Sequence, residues 1–296
     1  MQTTGMHWVT DSIRRILAPN PSAMTGPGTN TYIIGRGADV AVVDPGPLDE
    51  SHIAAVQAAL SPNETVTAII VTHSHTDHSA AAARLSALTS APVLAFGDAR
   101  SGRNLRMQHL AEAGQLGGGE GADLEFRPHR RLSDGETLKC GDHVLRVIHT
   151  PGHMGCHICL AVGDVLLSGD HAMGWASSLI SPPDGDMGDY MASLDRLSLE
   201  KWSVMLPGHG NSVFAVAARL QTLADHRRQR EREVLAALEF GPSKPAELTR
   251  SIYHDIPAAL IPAAQRNVLA HLIDLFHKKL VSCDVPPGPD TIFALS

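Results

Sequence analysis

The sequence predicts an α/β fold of layered sheets and helices, followed by a small helical module. Up to about residue 210, short segments rich in Val, Ile and Leu alternate with helical patterns, and Gly, Pro, Asp or Asn bounds each segment. From about residue 212, three helical patterns follow one another. Hydrophobic residues make up 43% and charged residues 19% of the 296 residues, which is typical of a globular protein.

The strand and helix segments follow from periodicity and from the residues that bound them. Apolar residues at three- and four-residue spacing predict two helices in the first part, residues 49–61 and 79–90. The predicted strands are residues 31–35, 38–44, 66–72, 92–96, 143–150, 156–163 and 164–170.

The C-terminal part has a different character. A long helical pattern over residues 212–240 ends at a Gly-Pro pair, and two further helices are predicted at 243–253 and 262–280. A short apolar segment, residues 281–285, follows them. This order predicts a winged-helix-like module, and we expect two domains, residues 1–215 and 216–296.

Composition and charge limit which binding partners and which cellular location we expect for the protein. The formal net charge is −7, so a strongly basic nucleic-acid binder is not expected. No apolar run is long enough for a membrane span, and the N-terminal residues lack the apolar region of a signal peptide. We therefore expect a cytoplasmic protein without membrane contact. Its 4 cysteines do not form a disulfide framework in so long a chain.

A cluster of metal-binding side chains follows the strand predicted at 66–72. His73, His75, Asp77 and His78 do not share one helical face, but residues i and i+2 of an extended segment point the same way. His73 and His75 are thus expected to share one metal ion. A turn would aim Asp77 and His78 at a second ion, and Ser79 is expected to cap the following helix.

More ligands are expected from distant strand ends. His153 lies in HTPGHMG, Asp170 in LLSGDHAMG and His209 in VMLPGHGNS, and each follows an apolar segment beside glycine. Ligands at the ends of several strands are how an α/β scaffold assembles a site.

The motif HxHxDH, followed in order by TPGH, SGD and PGHG, resembles the metallo-β-lactamase fold superfamily. The resemblance implies a four-layer αββα sandwich with metal ions at one edge. It implies that His73, His75 and His153 bind the first ion, that Asp77, His78 and His209 bind the second, and that Asp170 bridges them. Asp44 matches an aspartate of the family that supports a ligand through a hydrogen bond.

Two further segments resemble the branch of β-lactamase-like protein 2, which includes a mitochondrial endoribonuclease. They are residues 24–35 and the C-terminal module, and residues 174–194 look like the loop that this branch places beside its metals. The clamp domains with which other RNA-cleaving members hold RNA are not seen in this sequence.

Histidine and carboxylate ligands suit two Zn²⁺ ions, although iron or manganese also fits such a site. Two ions lower the pKa of water toward neutrality and supply a bridging hydroxide as nucleophile, so the predicted reaction is hydrolysis. Asp77 and Asp170 are the expected catalytic residues, and Asp77 would orient the hydroxide. For His157 and His171 we favour packing or support of the ligands over contact with substrate.

Three functions remain open at this point. The first is hydrolysis of RNA phosphodiesters, and the second is hydrolysis of a carboxylic ester, thioester or lactam on a small anionic substrate. The third is a DNA-binding regulator that senses a ligand or metal. We expect a small-molecule or short single-stranded RNA partner and no sequence-specific DNA binding, and a homodimer is compatible with the sequence.

Four smaller features have simpler interpretations. Cys156 and Cys159 are expected to be buried, inert thiols in the strand at 156–163, facing opposite sides. The mixed charges of residues 226–233 favour a solvated helix face or salt bridges between domains over an RNA track. Residues 114–123 are Gly-rich and predict a mobile surface loop, and residues 26–30 predict a tight turn near the site.

Overall fold

Two β-sheets stacked face to face form the centre of the computed structural model, which describes residues 5–114 and 116–296. Helices cover the outer face of each sheet. The structure thus confirms the αββα sandwich and the helical C-terminal region that the sequence predicts.

The first sheet contains seven strands, which follow one another in space in chain order. β4 and β5 run parallel, with Val42 opposite Ile69, and β6 and β7 continue in the same direction. The strands are β1 (His7–Trp8), β2 (Ile13–Leu17), β3 (Asn30–Ile34), β4 (Asp39–Val43), β5 (Thr65–Val71), β6 (Val93–Ala95) and β7 (Arg130–Arg131).

The second sheet contains five strands, in the spatial order β12-β11-β10-β9-β8. β11 and β12 are parallel, so their carboxyl ends lie at one edge of the sheet. The end of β5 reaches the same edge, because the Ile158 N–H donates to the Thr72 carbonyl at 2.9 Å. The strands are β8 (Thr137–Cys140), β9 (His143–His149), β10 (Ile158–Val162), β11 (Val165–Gly169) and β12 (Val204–Pro207).

Side chains point alternately to the two faces of each sheet, and this alternation divides the core into three layers. In β5, Ile70 packs between the two sheets, whereas its neighbour Ile69 packs outward under the helices. On the other sheet, Leu166 and Met205 face outward against the helices that cover it. Each fully buried aliphatic side chain of this kind contributes roughly 1.5–3 kcal/mol relative to exposure, so the layer order is strongly specified.

The helices pack against the outward-facing apolar side chains of the two sheets. α1 and α3 border the first sheet, and α5 and the first half of α6 cover the second. The helices are α1 (Glu50–Ala58), α2 (Thr76–Ser79), α3 (Ala82–Thr89), α4 (Leu105–Glu112), α5 (Met187–Ser198), α6 (Val216–Leu238), α7 (Pro245–Ile252) and α8 (Ile261–His277), with a 3-10 turn at Ala258–Leu260.

The C-terminal module has its own apolar cluster, which joins the second half of α6 to α7 and α8. Val234, Leu248, Leu272 and Phe293 are buried in it. A short antiparallel pair, β13 (Val281–Ser282) with β14 (Ala294–Leu295), completes the module. Because α6 packs on both the second sheet and this cluster, it ties the two parts together, and the boundary at residue 215 stays a prediction.

Several local expectations were wrong. Ser79 does not cap the helix behind the histidine cluster but ends the short helix α2, and its Oγ donates to the His75 carbonyl. Cys156 precedes β10 rather than lying in it, although both Cys156 and Cys159 are buried free thiols as expected.

Residues 174–194 are not all loop, because α5 begins at Met187 with Asp186 as its N-cap. We also missed α4, which Asn104 caps.

Residue 115 of the Gly-rich segment at 114–123 lies outside the described residues, and the end of the segment is hydrogen-bonded to the chain around the histidine cluster. The Thr76 N–H donates to the Gly121 carbonyl at 2.8 Å, and the Asp123 N–H donates to the Ser74 carbonyl at 2.7 Å. Among the described residues, no helix is both long enough and apolar enough to cross a bilayer.

Candidate metal centre

The predicted ligands meet at the edge where β5, β11 and β12 end. Seven histidine and aspartate residues there form two groups, within each of which the candidate ligand atoms lie no more than 4.8 Å apart. The first ligand group is His73, His75, His153 and Asp170, and the second ligand group is Asp77, His78 and His209.

The first ligand group converges on His75. Its Nδ1 lies 3.0 Å from His73 Nε2 and 3.1 Å from His153 Nε2. The Oδ2 atom of Asp170 lies 3.9 Å from His73 Nε2 and 3.8 Å from His153 Nε2. His73 and His75 thus point to one place, as their i, i+2 spacing at a strand end predicts.

The second ligand group lies on the other side of Asp170. His78 Nε2 is 3.4 Å from Asp77 Oδ2, and His209 Nε2 is 3.3 Å from the same oxygen. Asp170 contacts this group too, with Oδ2 at 3.2 Å from His209 Nε2 and Oδ1 at 3.4 Å from His78 Nε2. One carboxylate therefore faces both groups, which is the position expected of a bridging ligand.

The outward nitrogens of two histidines have backbone carbonyls as hydrogen-bond acceptors. His153 Nδ1 lies 2.7 Å from the Leu179 carbonyl, and His209 Nδ1 lies 3.2 Å from the Gly28 carbonyl. A carbonyl only accepts, so each of these nitrogens carries a proton, and the inward Nε2 is the nitrogen that would bind a metal ion. This is the tautomer that metal-binding histidines adopt.

The inner atoms fit metal ions better than they fit one another. In the first ligand group, deprotonated imidazole nitrogens 3.0 and 3.1 Å apart have no proton to share, and Asp170 Oδ1 is buried without a hydrogen-bond partner among the described residues. Cations between these lone pairs would satisfy both. Three nitrogen donors with carboxylates suit zinc, iron or manganese, so the donors do not decide which metal is native.

Asp44 supports the second ligand group from behind. Its Oδ1 accepts from the Thr72 N–H at 2.7 Å, and its Oδ2 accepts from the Thr72 hydroxyl at 2.8 Å and lies 2.9 Å from His78 Nδ1. The Asp44 backbone has a φ of 50°, a left-handed conformation that costs free energy for a residue with a side chain. The hydrogen bonds hold it there.

Carboxylates dominate the electrostatics of the second ligand group. Burial opposes charge on His78, but Asp77, Asp170 and Asp44 outweigh burial, and the pKa of His78 lies well above its usual range. Burial likewise opposes charge on His209, yet Asp170 and Asp77 raise its pKa to about 9. The surroundings of this group thus favour positive charge.

The histidines of the first ligand group are held neutral. Burial, followed by the neighbouring histidines, puts the pKa of His73 well below its usual range. Burial and then His153 lower the pKa of His75 to about 3. Neutral imidazole is the form that binds a metal ion.

His157 and His171 do not border the cavity that opens over the two ligand groups. His157 Nε2 accepts from the Asp170 backbone N–H at 3.2 Å, and its Nδ1 lies 2.9 Å from the Thr150 hydroxyl, so His157 positions the loop that carries Asp170. His171 is fully buried, and its ring packs 4.6 Å from the Tyr190 ring centroid.

Two residues near the ligands were not singled out from the sequence. The Thr29 hydroxyl donates to Asp77 Oδ2 at 2.9 Å, which orients that carboxylate. Gly208 lies so close to the ligands that a Cβ there would be 2.3 Å from Asp170 Oδ1. The PGHG motif could have indicated the need for a small residue, but no sequence signal joins Thr29 to Asp77.

A cavity of about 490 Å³ opens over both ligand groups. His75, His153, Asp77, Asp170 and His209 form its polar floor. The walls are mostly apolar and come from both parts of the chain, with Met24, Met173, Trp175 and Leu179 from the first and Ile256, Leu260, Ala263 and Ala264 from the C-terminal module.

The model of the metallo-β-lactamase superfamily matches residues 24–209, and the model of the β-lactamase-associated winged helix domain matches residues 245–282. The chain belongs to the metallo-β-lactamase superfamily. Both parts of the resemblance seen in the sequence are thereby confirmed, and the chain is an enzyme of this hydrolase family.

Similar proteins cover nearly the whole chain. A Drosophila melanogaster protein named β-lactamase-like protein 2 homolog is 30% identical over 273 residues, which is 90% of this chain and 88% of that one. An Aspergillus chevalieri protein named atrochrysone carboxyl ACP thioesterase is 26% identical over 262 residues, 84% of this chain and 75% of that one. The crystal structure of a β-lactamase domain protein from Burkholderia ambifaria has the same fold, with a TM-score of 0.81 at 22% identity, and covers 98% of this chain and 93% of that one.

Proposed function

We propose that the chain hydrolyses a carboxylic ester or thioester with a largely apolar acyl part, using two zinc ions held by the two ligand groups. The observation that carries the proposal is the apolar wall above a polar, metal-binding floor. An acyl chain along such a wall would be removed from water and would bring its carbonyl to the floor.

The residues of the floor have separate tasks in this proposal. His73, His75 and His153 would hold one ion, Asp77, His78 and His209 would hold the other, and Asp170 would contact both. When bound, the ions make hydroxide available near neutral pH and stabilise negative charge on the reacting oxygen.

Asp77 is the residue we assign to orienting the attacking water. It borders the cavity, and its Oδ2 is held by the Thr29 hydroxyl, so its other oxygen is available as a hydrogen-bond acceptor. Burial raises the pKa of Asp77, but His78 and His209 outweigh burial and lower it well below its usual range, which keeps this carboxylate ionised.

RNA, the first of the functions considered from the sequence, fits the cavity less well. Single-stranded nucleic acid binds in basic grooves, often with aromatic stacking. Arg227 is the one Arg or Lys among the described residues that line the cavity, whereas Glu120, Asp77 and Asp170 are acidic. The likeness to a protein named as a thioesterase also supports the acyl substrate.

A DNA-reading role gains no support from the C-terminal module. Arg266 and Asn267, two polar residues of α8, face the rest of the chain. Arg266 pairs with Glu120, and the Asn267 side-chain oxygen accepts from the Ile180 N–H at 3.0 Å. Helix α8 thus forms a wall of the cavity.

A panel assay tests the proposal. The zinc-loaded enzyme is offered aliphatic thioesters and esters, lactams and a labelled single-stranded RNA, and metal content is measured in parallel. We expect thioester or ester hydrolysis that His75→Ala abolishes together with bound zinc. Cleavage of RNA without hydrolysis of any acyl substrate would overturn the proposal, and iron- and manganese-loaded enzyme tests the choice of metal.

A further inference from the structure

Arg227 is a buried cation without a carboxylate partner. Its side chain is 1% exposed, and no ion pair joins it to an Asp or Glu among the described residues. The contrast is Arg14, which is 2% exposed but binds both oxygens of Glu64 at 2.8 and 2.9 Å. Burying an unpaired charge costs several kcal/mol, so Arg227 needs an explanation that Arg14 does not.

The guanidinium of Arg227 is held in place by neutral groups. It donates to the Ser178 carbonyl and to the Asn267 side-chain oxygen, the latter at 3.3 Å, and lies 5.3 Å from the Tyr190 ring centroid. Its Nε–H has no hydrogen-bond partner among the described residues. These contacts orient the cation but leave its charge uncompensated.

Arg227 borders the active-site cavity on the side of the C-terminal module, with Asn267, His226 and Tyr253 beside it. The cavity therefore has a metal-binding floor, an apolar wall and a second polar region around the buried cation. Glu120 also lines the cavity, but it pairs with Arg266 and accepts from the Ser181 hydroxyl at 3.0 Å, so it is engaged elsewhere.

We propose that Arg227 binds a carboxylate of the substrate, so that the enzyme prefers an ester or thioester whose acyl part carries a negative charge. The inference rests on the proposed function and adds a substrate class to it. One guanidinium matches one unit of negative charge, and its planar donors suit a carboxylate. No second Arg or Lys lines the cavity among the described residues, which disfavours a phosphate dianion.

Matched thioesters test this assignment. S-phenyl monothioesters of dicarboxylic acids, from succinic to suberic, are compared with S-phenyl thioesters of the monocarboxylic acids of equal length. The quantity measured is the ratio of kcat/KM for the charged substrate to kcat/KM for the neutral one. For at least one chain length we expect this ratio to exceed about ten in the wild type.

Three variants separate binding of a carboxylate from support of the fold. Arg227→Met should lower the selectivity ratio by about tenfold to hundredfold, and Arg227→Lys, which keeps the charge but loses the planar fork, should lie between. Arg228→Met is the matched control, because the neighbouring Arg228 is exposed and faces Asp195 and Asp225. Its ratio should equal that of the wild type.

A wild-type ratio near one, or a ratio that Arg227→Met leaves unchanged, would overturn the assignment, because a purely structural arginine would affect both substrates alike. Inhibition by inorganic phosphate that is stronger than inhibition by acetate and depends on Arg227 would also overturn it. If neither these thioesters nor the esters of the panel react, the proposed function fails, and calorimetry with suberate and octanoate decides the carboxylate site separately. A selective loss of suberate affinity in Arg227→Met supports it, and equal effects on both acids reject it.

Discussion

The His78 imidazole and the Asp44 carboxylate are joined on the side facing away from the cavity, with Nδ1 2.9 Å from Oδ2. Asp44 is buried and is held by two hydrogen bonds from Thr72, so it is a fixed acceptor. The bond orients His78 and keeps its Nε2 directed at the second ligand group.

Asp44→Asn should weaken metal binding without unfolding the protein. Asparagine tolerates the left-handed backbone of this position, but it removes the negative charge beside His78. Loss of such a supporting group costs about 10- to 100-fold in metal affinity or activity, which competition with a chelator would measure. Asp39→Asn, at an exposed position, is the control. Equal affinities of Asp44→Asn and wild type would show that Asp44 does not support His78.

Gly208→Ala should disrupt the metal centre by steric conflict alone. The added methyl would lie 2.3 Å from Asp170 Oδ1 and 2.7 Å from His78 Cε1, distances that real Cβ contacts do not show. We expect the zinc content to fall below that of the wild type and activity to fall at least about tenfold. Gly37→Ala, where nothing lies within 4 Å, should keep both. Full metal content with normal turnover in Gly208→Ala would contradict the close packing.

The ligand cluster was predictable because most of the residues that indicate it are close neighbours in the sequence. A strand end followed by His73, His75, Asp77 and His78 restricts where those side chains can point, and the structure brings them together. The ends of parallel strands share one edge of a sheet, so placing Asp170 beside them also followed from general rules of the fold.

The other features of the site and the fold depend on contacts between segments that are distant in the sequence, or on weak local signals. Arg227 lies in a run of mixed charges that favours a solvated face, yet the packing of α8 and the Ser178 segment buries it. Thr29 meets Asp77 across 48 residues of chain. Helix α5 carries Gly188 in its first turn, which weakens the local helix signal that its cap restores.

Thr29→Val should lower turnover while metal binding persists. The substitution keeps the shape of the side chain but removes the hydroxyl that holds Asp77 Oδ2. A hydrogen bond to a charged group contributes about 1.5–3 kcal/mol, so we expect kcat to fall about tenfold to hundredfold. Steady-state kinetics on an acyl substrate with parallel metal analysis checks this. Thr222→Val, on an exposed turn of α6, is the control, and an unaltered kcat in Thr29→Val would argue against an orienting role for Thr29.

His52 should make the stability of the protein depend on pH. Thr31 donates its hydroxyl proton to the Asp44 carbonyl, so it accepts from His52 Nε2 at 2.8 Å, and the buried His52 Nδ1 has no partner among the described residues. Burial, opposed by Asp49, lowers the pKa of His52 to about 4. A second proton would thus enter a buried site without an acceptor.

The direction of the pH effect follows from comparing the pKa of His52 in the folded and unfolded states. The unfolded chain takes up the proton near pH 6.5 and the folded chain only near pH 4, so the contribution of His52 is present above about pH 6.5 and is lost as the pH falls toward 4. Between about pH 7.5 and pH 5 this amounts to about 2 kcal/mol of unfolding free energy. Urea unfolding at both pH values should show a smaller pH dependence in His52→Gln than in the wild type, by about that amount. His7→Gln, at an exposed position, should match the wild type, and a His52→Gln protein with the full wild-type dependence would place the titrating group elsewhere.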